Sequence, residues 1–167
     1  MNKKNEGGLT QEEFERGKSY VGLLVKYRPR TEQEVINRLR EKNFDAEAIE
    51  ELVDWAKKQD LIDDSLFAKF WIEDRLAKKP KGRSGLYKEL LDHGVERSTA
   101  KEVLQEIISD EKEERMLREL AEKRLNRYEG EDVKAKYRKT SSFLIRRGFS
   151  KGAVHNLLKD LLFDRND

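Results

Sequence analysis

The chain has 167 residues, 42% of them charged and only 36% hydrophobic, which is too little apolar material for one thick globular core. Its 36 Lys and Arg stand against 34 Asp and Glu, so net charge names no partner and the distribution of charge must. The lack of cysteine excludes disulfides, thiolate metal sites and a cysteine nucleophile; the polar start is no secretory signal, and no apolar run nears the roughly 20 residues that cross a bilayer, so a soluble cytoplasmic protein without membrane contact is expected.

Residues 1–9 are read as a disordered tail. A first helix begins at about Thr10, with Phe14, Val21, Leu24 and Val25 near one face, and ends at Arg28-Pro29-Arg30 because proline forces the preceding residue into extended backbone. Thr31 with Glu34 has capping-box spacing, predicting a second helix over 31–41 with Val35, Ile36 and Leu39 inward. Asn43 can end it in the left-handed conformation. Asp45 can then cap a third helix to about Gln59, carrying Ile49, Leu52, Val53 and Trp55.

A second set of helices opens at Asp63 or Asp64 and runs to about Ala77, with Phe67, Phe70 and Trp71 at core spacing. The basic loop 78–83 breaks it; helices over 84–92 and 97–109 follow, joined at His93-Gly94-Val95. A third set starts near Asp110 with Leu117, Leu120, Ala121 and Leu125 on its stripe. Glu129-Gly130-Glu131 interrupts it, a helix spans 132–147, and Gly148-Phe149-Ser150 leads into a last helix ending near Phe163. No period-two run suggests a strand.

One cassette therefore occurs three times: Leu39 to Phe44, Leu90 to Val95 and Leu144 to Phe149. Each has a leucine five residues before an apolar residue, a residue suited to left-handed backbone just before that residue, and a capping type after it. The copies are 51 and 54 residues apart. Asn43, Phe44, Gly94, Val95, Gly148 and Phe149 are thus assigned as structural turns. The fold is predicted as all-α, three tandem three-helix repeats (10–62, 63–109 and 110–163, then a tail 164–167) in an elongated, curved, solenoid-like stack, an architecture suited to binding.

Two helices across a short turn also suggest a DNA-reading helix-turn-helix, but the relevant helix of the first repeat carries Glu47, Glu50, Glu51 and Asp54, which would repel phosphate; Glu96, Glu102 and Glu106 do the same in the second. The third repeat differs. Lys134, Lys136, Arg138, Lys139, Arg146, Arg147 and Lys151 fall in a run with no acidic residue, a candidate nucleic-acid or filament-binding surface; the plainer reading is a solvated face balanced by the acidic helix after Asp110. Lys79, Lys81 and Arg83, near Gly82 and Gly85, form a second candidate, without the Gly-Lys-Ser/Thr ending of a nucleotide-binding loop. His93 and His155 have no nucleophile beside them, and Asp63-Asp64 reads as helix capping. No catalytic residue, cofactor site or metal site is assigned.

The ordered motifs Tyr27-Arg28-Pro29-Arg30-Thr31 with Glu34-Val35 and Leu39, Leu61-Ile62-Asp63-Asp64 with Phe67-Ala68 and Arg75, Gly82 with Leu90 and Gly94, and Leu144 with Arg146-Arg147-Gly148-Phe149 resemble the RecX family of bacterial recombination regulators over about residues 21–162. The chain departs from the family pattern at Asn43, where glycine is usual, and in a less basic stretch at 82–85. The resemblance implies a monomeric, non-enzymatic protein of DNA repair, recombination and the SOS response. It would bind RecA and the RecA-DNA filament and mainly inhibit ATP hydrolysis, strand exchange and coprotease activity, with weak single- or double-stranded DNA binding. The alternative is a single-stranded DNA-binding helical module that acts by competing for DNA.

Overall fold

The computed structural model describes residues 9–163, so the expected tails fall outside it apart from Leu9. The described residues form nine α-helices and no strand: α1 Gln11–Tyr27, α2 Glu32–Glu41, α3 Ala46–Lys58, α4 Asp64–Lys78, α5 Arg83–Asp92, α6 Arg97–Ile107, α7 Asp110–Asn126, α8 Val133–Arg146 and α9 Lys151–Leu162. Local chemistry accounts for most of the boundaries. Thr10 and Thr31 each close a capping box, with Glu13 and Glu34, and Asp45, Ser109, Asp132 and Ser150 accept backbone N–H bonds at the starts of α3, α7, α8 and α9. Ser109, expected inside α6, caps α7 instead. Once α6 has ended at Ile107, a short hydroxyl serves the exposed donors of the next helix better than a further helical turn.

The three cassettes close with the same bonds. Phe44, Val95 and Phe149 donate their N–H to the carbonyls of Leu39, Leu90 and Leu144 (3.2, 3.0 and 3.3 Å), and Asn43, Gly94 and Gly148 donate to Arg40, Leu91 and Ile145 (2.9 Å each). These are the paired bonds of a Schellman ending, and its left-handed residue follows: φ is 61° at Asn43, 86° at Gly94 and 85° at Gly148.

The chain divides into two compact units, one of residues up to Phe70 with Leu90–Ala100, the other of Trp71–Glu89 with residues from Lys101 onward. In the first, α1, α2 and α3 bury Val21, Val35, Leu39, Leu52 and Ala56, and Leu52 lies where a side chain on Gly17 would stand, 2.4 Å from its Cβ. In the second, α7, α8 and α9 enclose Leu117, Ala121, Leu144, Phe149, Val154 and Leu158. A fully buried leucine of this kind contributes about 2 kcal/mol. Phe70 corrects the sequence reading. The inward arc of α4 is made by Phe67, Ala68 and Ile72, and at 100° per residue Phe70 falls beside Leu66 on the opposite side, 39% exposed.

Each unit contains one joint between consecutive triads, built in the same way. In the first, the Thr31 hydroxyl donates to the His93 carbonyl (2.6 Å), Gln33 lies over Gly94, and the Asp64 carboxylate accepts the first N–H of α2, from Glu32 (2.9 Å). In the second, Gly82 N–H donates to the Arg147 carbonyl (2.8 Å), Gly82 and Gly85 lie over Gly148, and Glu113 accepts the first N–H of α5, from Arg83 (2.7 Å). In both joints the middle helix of one triad starts on the turn that ends the middle helix of the next, capped by a carboxylate from that next triad's first helix.

Candidate interaction surfaces

Helix α8 carries the acid-free basic run, and its 3.6-residue period sorts the cations. Lys134, Arg138, Ser142 and Arg146 recur at four-residue intervals on an exposed face, spanning about 18 Å of helix at 1.5 Å per residue. None of these three cations forms an ion pair among the described residues. Exposed Lys151, at the start of α9, and half-buried Lys136 are also without one. Lys139 is different: its ammonium bonds both Glu131 oxygens at 2.7 Å and lies 4.9 Å from the Tyr128 ring centre. Arg147 donates to the Pro80 carbonyl (3.0 Å) and stacks on Phe143 at 4.9 Å, a ring that Arg124 also meets at 4.4 Å. Tyr137 contacts His155 (3.0 Å). The aromatic side chains within the run are therefore engaged inside the unit.

The 78–83 segment is likewise tied down. Lys81 pairs with Glu89, which also accepts from Trp71 Nε1 (2.9 Å) and Arg75 Nε (3.1 Å), and Arg75 lies 4.4 Å over the Trp71 ring. Burial alone would raise the Glu89 carboxyl, but bonds from Lys81, Trp71 and Arg75 hold it below the usual carboxylate range. Arg83 bonds Glu113 through Nε at 2.6 Å and pairs with Asp110 through Nη2, so the acidic start of α7 balances α5 instead of α8. Lys79 stays exposed with no ion pair among the described residues. Gly82 and Gly85 serve close backbone approach: a Cβ on Gly82 would lie 2.5 Å from the Gly148 carbonyl oxygen.

In the first unit the residues of the Tyr27-to-Thr31 motif have separable tasks. Arg28 forms a two-pronged pair with Glu34 (2.9 and 3.1 Å), and Glu34 meets His93 Nδ1 at 3.1 Å. Burial works to raise the Glu34 carboxyl, yet the Arg28 and His93 contacts and the Thr31 N–H hold it low. Asp63 caps its own helix through Leu66 N–H (3.0 Å), and Asp64 caps α2, where burial raises its carboxyl. Both aspartates therefore cap helices. Nothing in the sequence between 71 and 113 marked the Glu89 cluster or the Glu113 cap, whose partners lie 8 to 30 residues away.

No group of three His, Cys, Asp or Glu side chains among the described residues could hold a metal ion, and none of their helices is long and apolar enough to cross a membrane. The chain is a tandem three-helix-repeat protein whose surface features are charged strips and recesses.

Three family models match it in order: the first three-helix domain of RecX over residues 24–55, the second over 63–104 and the third over 111–158. Relatives agree. The regulatory protein RecX of Amycolatopsis mediterranei is 32% identical over 152 residues, spanning 91% of this chain and 86% of that protein, and the RecX of Caldanaerobacter subterraneus is 33% identical, spanning 80% and 67%. The crystal structure of RecX from Lactobacillus salivarius shares the fold at a TM-score of 0.82, covering 91% of this chain and 98% of that one at 24% identity. The chain belongs to the RecX family of regulatory proteins.

Proposed function

We propose that this protein binds RecA and the RecA-DNA filament and mainly inhibits RecA's ATP hydrolysis, strand exchange and coprotease activity in recombination and the DNA-damage response, acting as a cytoplasmic monomer. The observation that carries the reading is the exposed face of α8, where Lys134, Arg138 and Arg146 have no carboxylate partner among the described residues. Four-residue spacing lines these cations up along one helix face, a row suited to an external polyanion, in a chain whose family is that of a recombination regulator. In the proposed arrangement α8 and Lys151 approach the DNA of the filament or an acidic filament surface, while faces of the first and second repeats meet RecA. Lys81, Arg83, Lys139 and Arg147, already paired or bonded internally, shape this surface and contribute little free charge.

The test is RecA ATPase on saturated, preformed filaments with substoichiometric protein. Strong inhibition is expected. Inhibition only near DNA stoichiometry would overturn direct filament contact in favour of the second reading, a single-stranded DNA-binding module that competes for DNA, which the same α8 face supports. Reversing Lys134, Arg138 and Arg146 to glutamate should weaken filament binding and flatten its dependence on salt by about two units of log-log slope, at roughly 0.7 per neutralised phosphate of single-stranded DNA. An unchanged slope would remove α8 from the assignment.

A further inference from the structure

The first unit exposes large apolar side chains where its fold gives them no partner. Tyr27 is 77% exposed and Leu23, one turn earlier on α1, 52%; Leu66 is 55% exposed and Phe70, one turn later on α4, 39%. Tyr27 and Leu66 share a recess of about 370 Å³, with Pro29 and Leu61 in its wall and Lys26, Arg30, Asp60 and Asp63 around it. Isolated exposed leucines are ordinary. Tyr27 and Leu66 meeting at one recess, each with an exposed apolar residue one turn away on its own helix, are not, and exposed apolar patches mark contact surfaces.

The charges differ in availability. Asp63 is committed to capping α4 and Arg28 to Glu34. Among the described residues Arg30 donates to the Leu24 carbonyl (3.3 Å) and forms no ion pair; burial, then the neighbouring Arg28, lowers its affinity for a proton, against the opposite pull of Glu34. Lys26 is exposed and has no ion pair among the described residues. Arg28 and Thr31 have clear structural tasks, whereas Tyr27, the first residue of the same motif, has none.

We propose that the recess bounded by Tyr27, Leu66 and Arg30 is a protein-docking site that takes an aliphatic or aromatic anchor of a partner, with an adjacent carboxylate of that partner pairing with Arg30. Nucleic acid fits it less well. The exposed Tyr27 ring could receive a base, but the rest of the apolar lining, Leu61, Leu66 and Pro29 among it, is aliphatic, and the carboxylates of Asp60 and Asp63 in the same recess oppose a phosphate backbone. An apolar anchor with a carboxylate beside it meets both the greasy floor and the unmatched guanidinium. The inference rests on the RecA reading above and gives it a protein contact separate from the polyanion contact of α8.

The test compares the unaltered chain with a Tyr27→Ser/Leu66→Ser double variant and with Arg30→Glu. Each is titrated against RecA filaments assembled on a fluorescent oligothymidylate and against the bare oligonucleotide, with thermal melts as the folding control. The exposed positions of the double variant should leave the melt unchanged, while filament affinity falls at least about tenfold and bare-oligonucleotide affinity stays the same. Arg30→Glu should weaken filament binding about threefold or more, and Lys26→Glu substitutes for it if its melt collapses. Filament affinity unchanged in the double variant overturns the site. An equal loss on the bare oligonucleotide also overturns it, by making the recess a nucleic-acid surface. If the unaltered chain binds no filament, the RecA reading falls and the docking site with it, a result distinguishable because it appears before any substitution.

Discussion

The turn at Asn43 and the turns at Gly94 and Gly148 have the same hydrogen bonds and the same handedness but different neighbours. A Cβ on Gly94 would stand 2.4 Å from the Gln33 Cβ, and one on Gly148 would stand 2.3 Å from the Gly85 backbone nitrogen. Both turns are landing places for the start of another helix. Asn43 is exposed. Left-handed backbone alone costs an asparagine little, so the departure from glycine at 43 is tolerated at this exposed position. Glycine is demanded by the neighbour at two turns, and only favoured by the torsion angle at the third.

Substitutions can break that contrast in order of severity. Gly148→Ala should lower stability most, by about 3 kcal/mol or more in urea denaturation, because the methyl meets backbone that cannot yield and the torsion is strained as well. A loss below about 1 kcal/mol would show that the second joint is soft. Gly94→Ala should cost about 2 kcal/mol, less than Gly148→Ala because it meets a side-chain carbon, and the double variant with Gln33→Gly should regain part of that; strict additivity would deny the contact. Glu113→Gln, which keeps one oxygen for the Arg83 N–H but surrenders the charge, should cost about 1 kcal/mol. Asn43→Gly should change stability by a few tenths of a kcal/mol only, and a large effect would mean that Asn43 has a partner of its own.

The first joint also has a pH signature, the smallest effect. Glu34 sits below its ordinary value of 4.5, so its contribution is present above that value and is lost as pH falls through the lower folded-state value. Asp64 sits above its ordinary value of 3.8; its contribution is fully present below 3.8 and is lost as pH rises through the higher folded value. The two oppose each other on acidification. Glu34→Gln should make the fall in melting temperature below about pH 4.5 shallower and Asp64→Asn should make it steeper; the same slope in both would dissolve the assignment.

Much of the fold was legible because helices in this chain are ended by local chemistry. Thr31 with Glu34, Asn43 before Phe44 and Gly148 before Phe149 each fix a boundary within five residues of themselves. Phe70 was misread because an aromatic at helical spacing says nothing about which side of α4 will be covered, and the small Ala68 took the inward place. The basic run was legible as a run, whereas the sorting of its members was not. Lys139 is paired by a glutamate eight residues away and Arg147 is bonded to a carbonyl 67 residues away.

The helices of the described residues, most of their ends and their threefold plan could be read from the chain alone, since these depend on caps, periodicity and left-handed residues acting over a turn or two. It took the packed fold to show which glycines have another chain segment against them, which cations of α8 lack an ion pair among the described residues, and that Tyr27, Leu66 and Arg30 line one recess. Those properties belong to pairs of atoms distant in the chain, and burial and charge compensation exist only once such pairs are brought together.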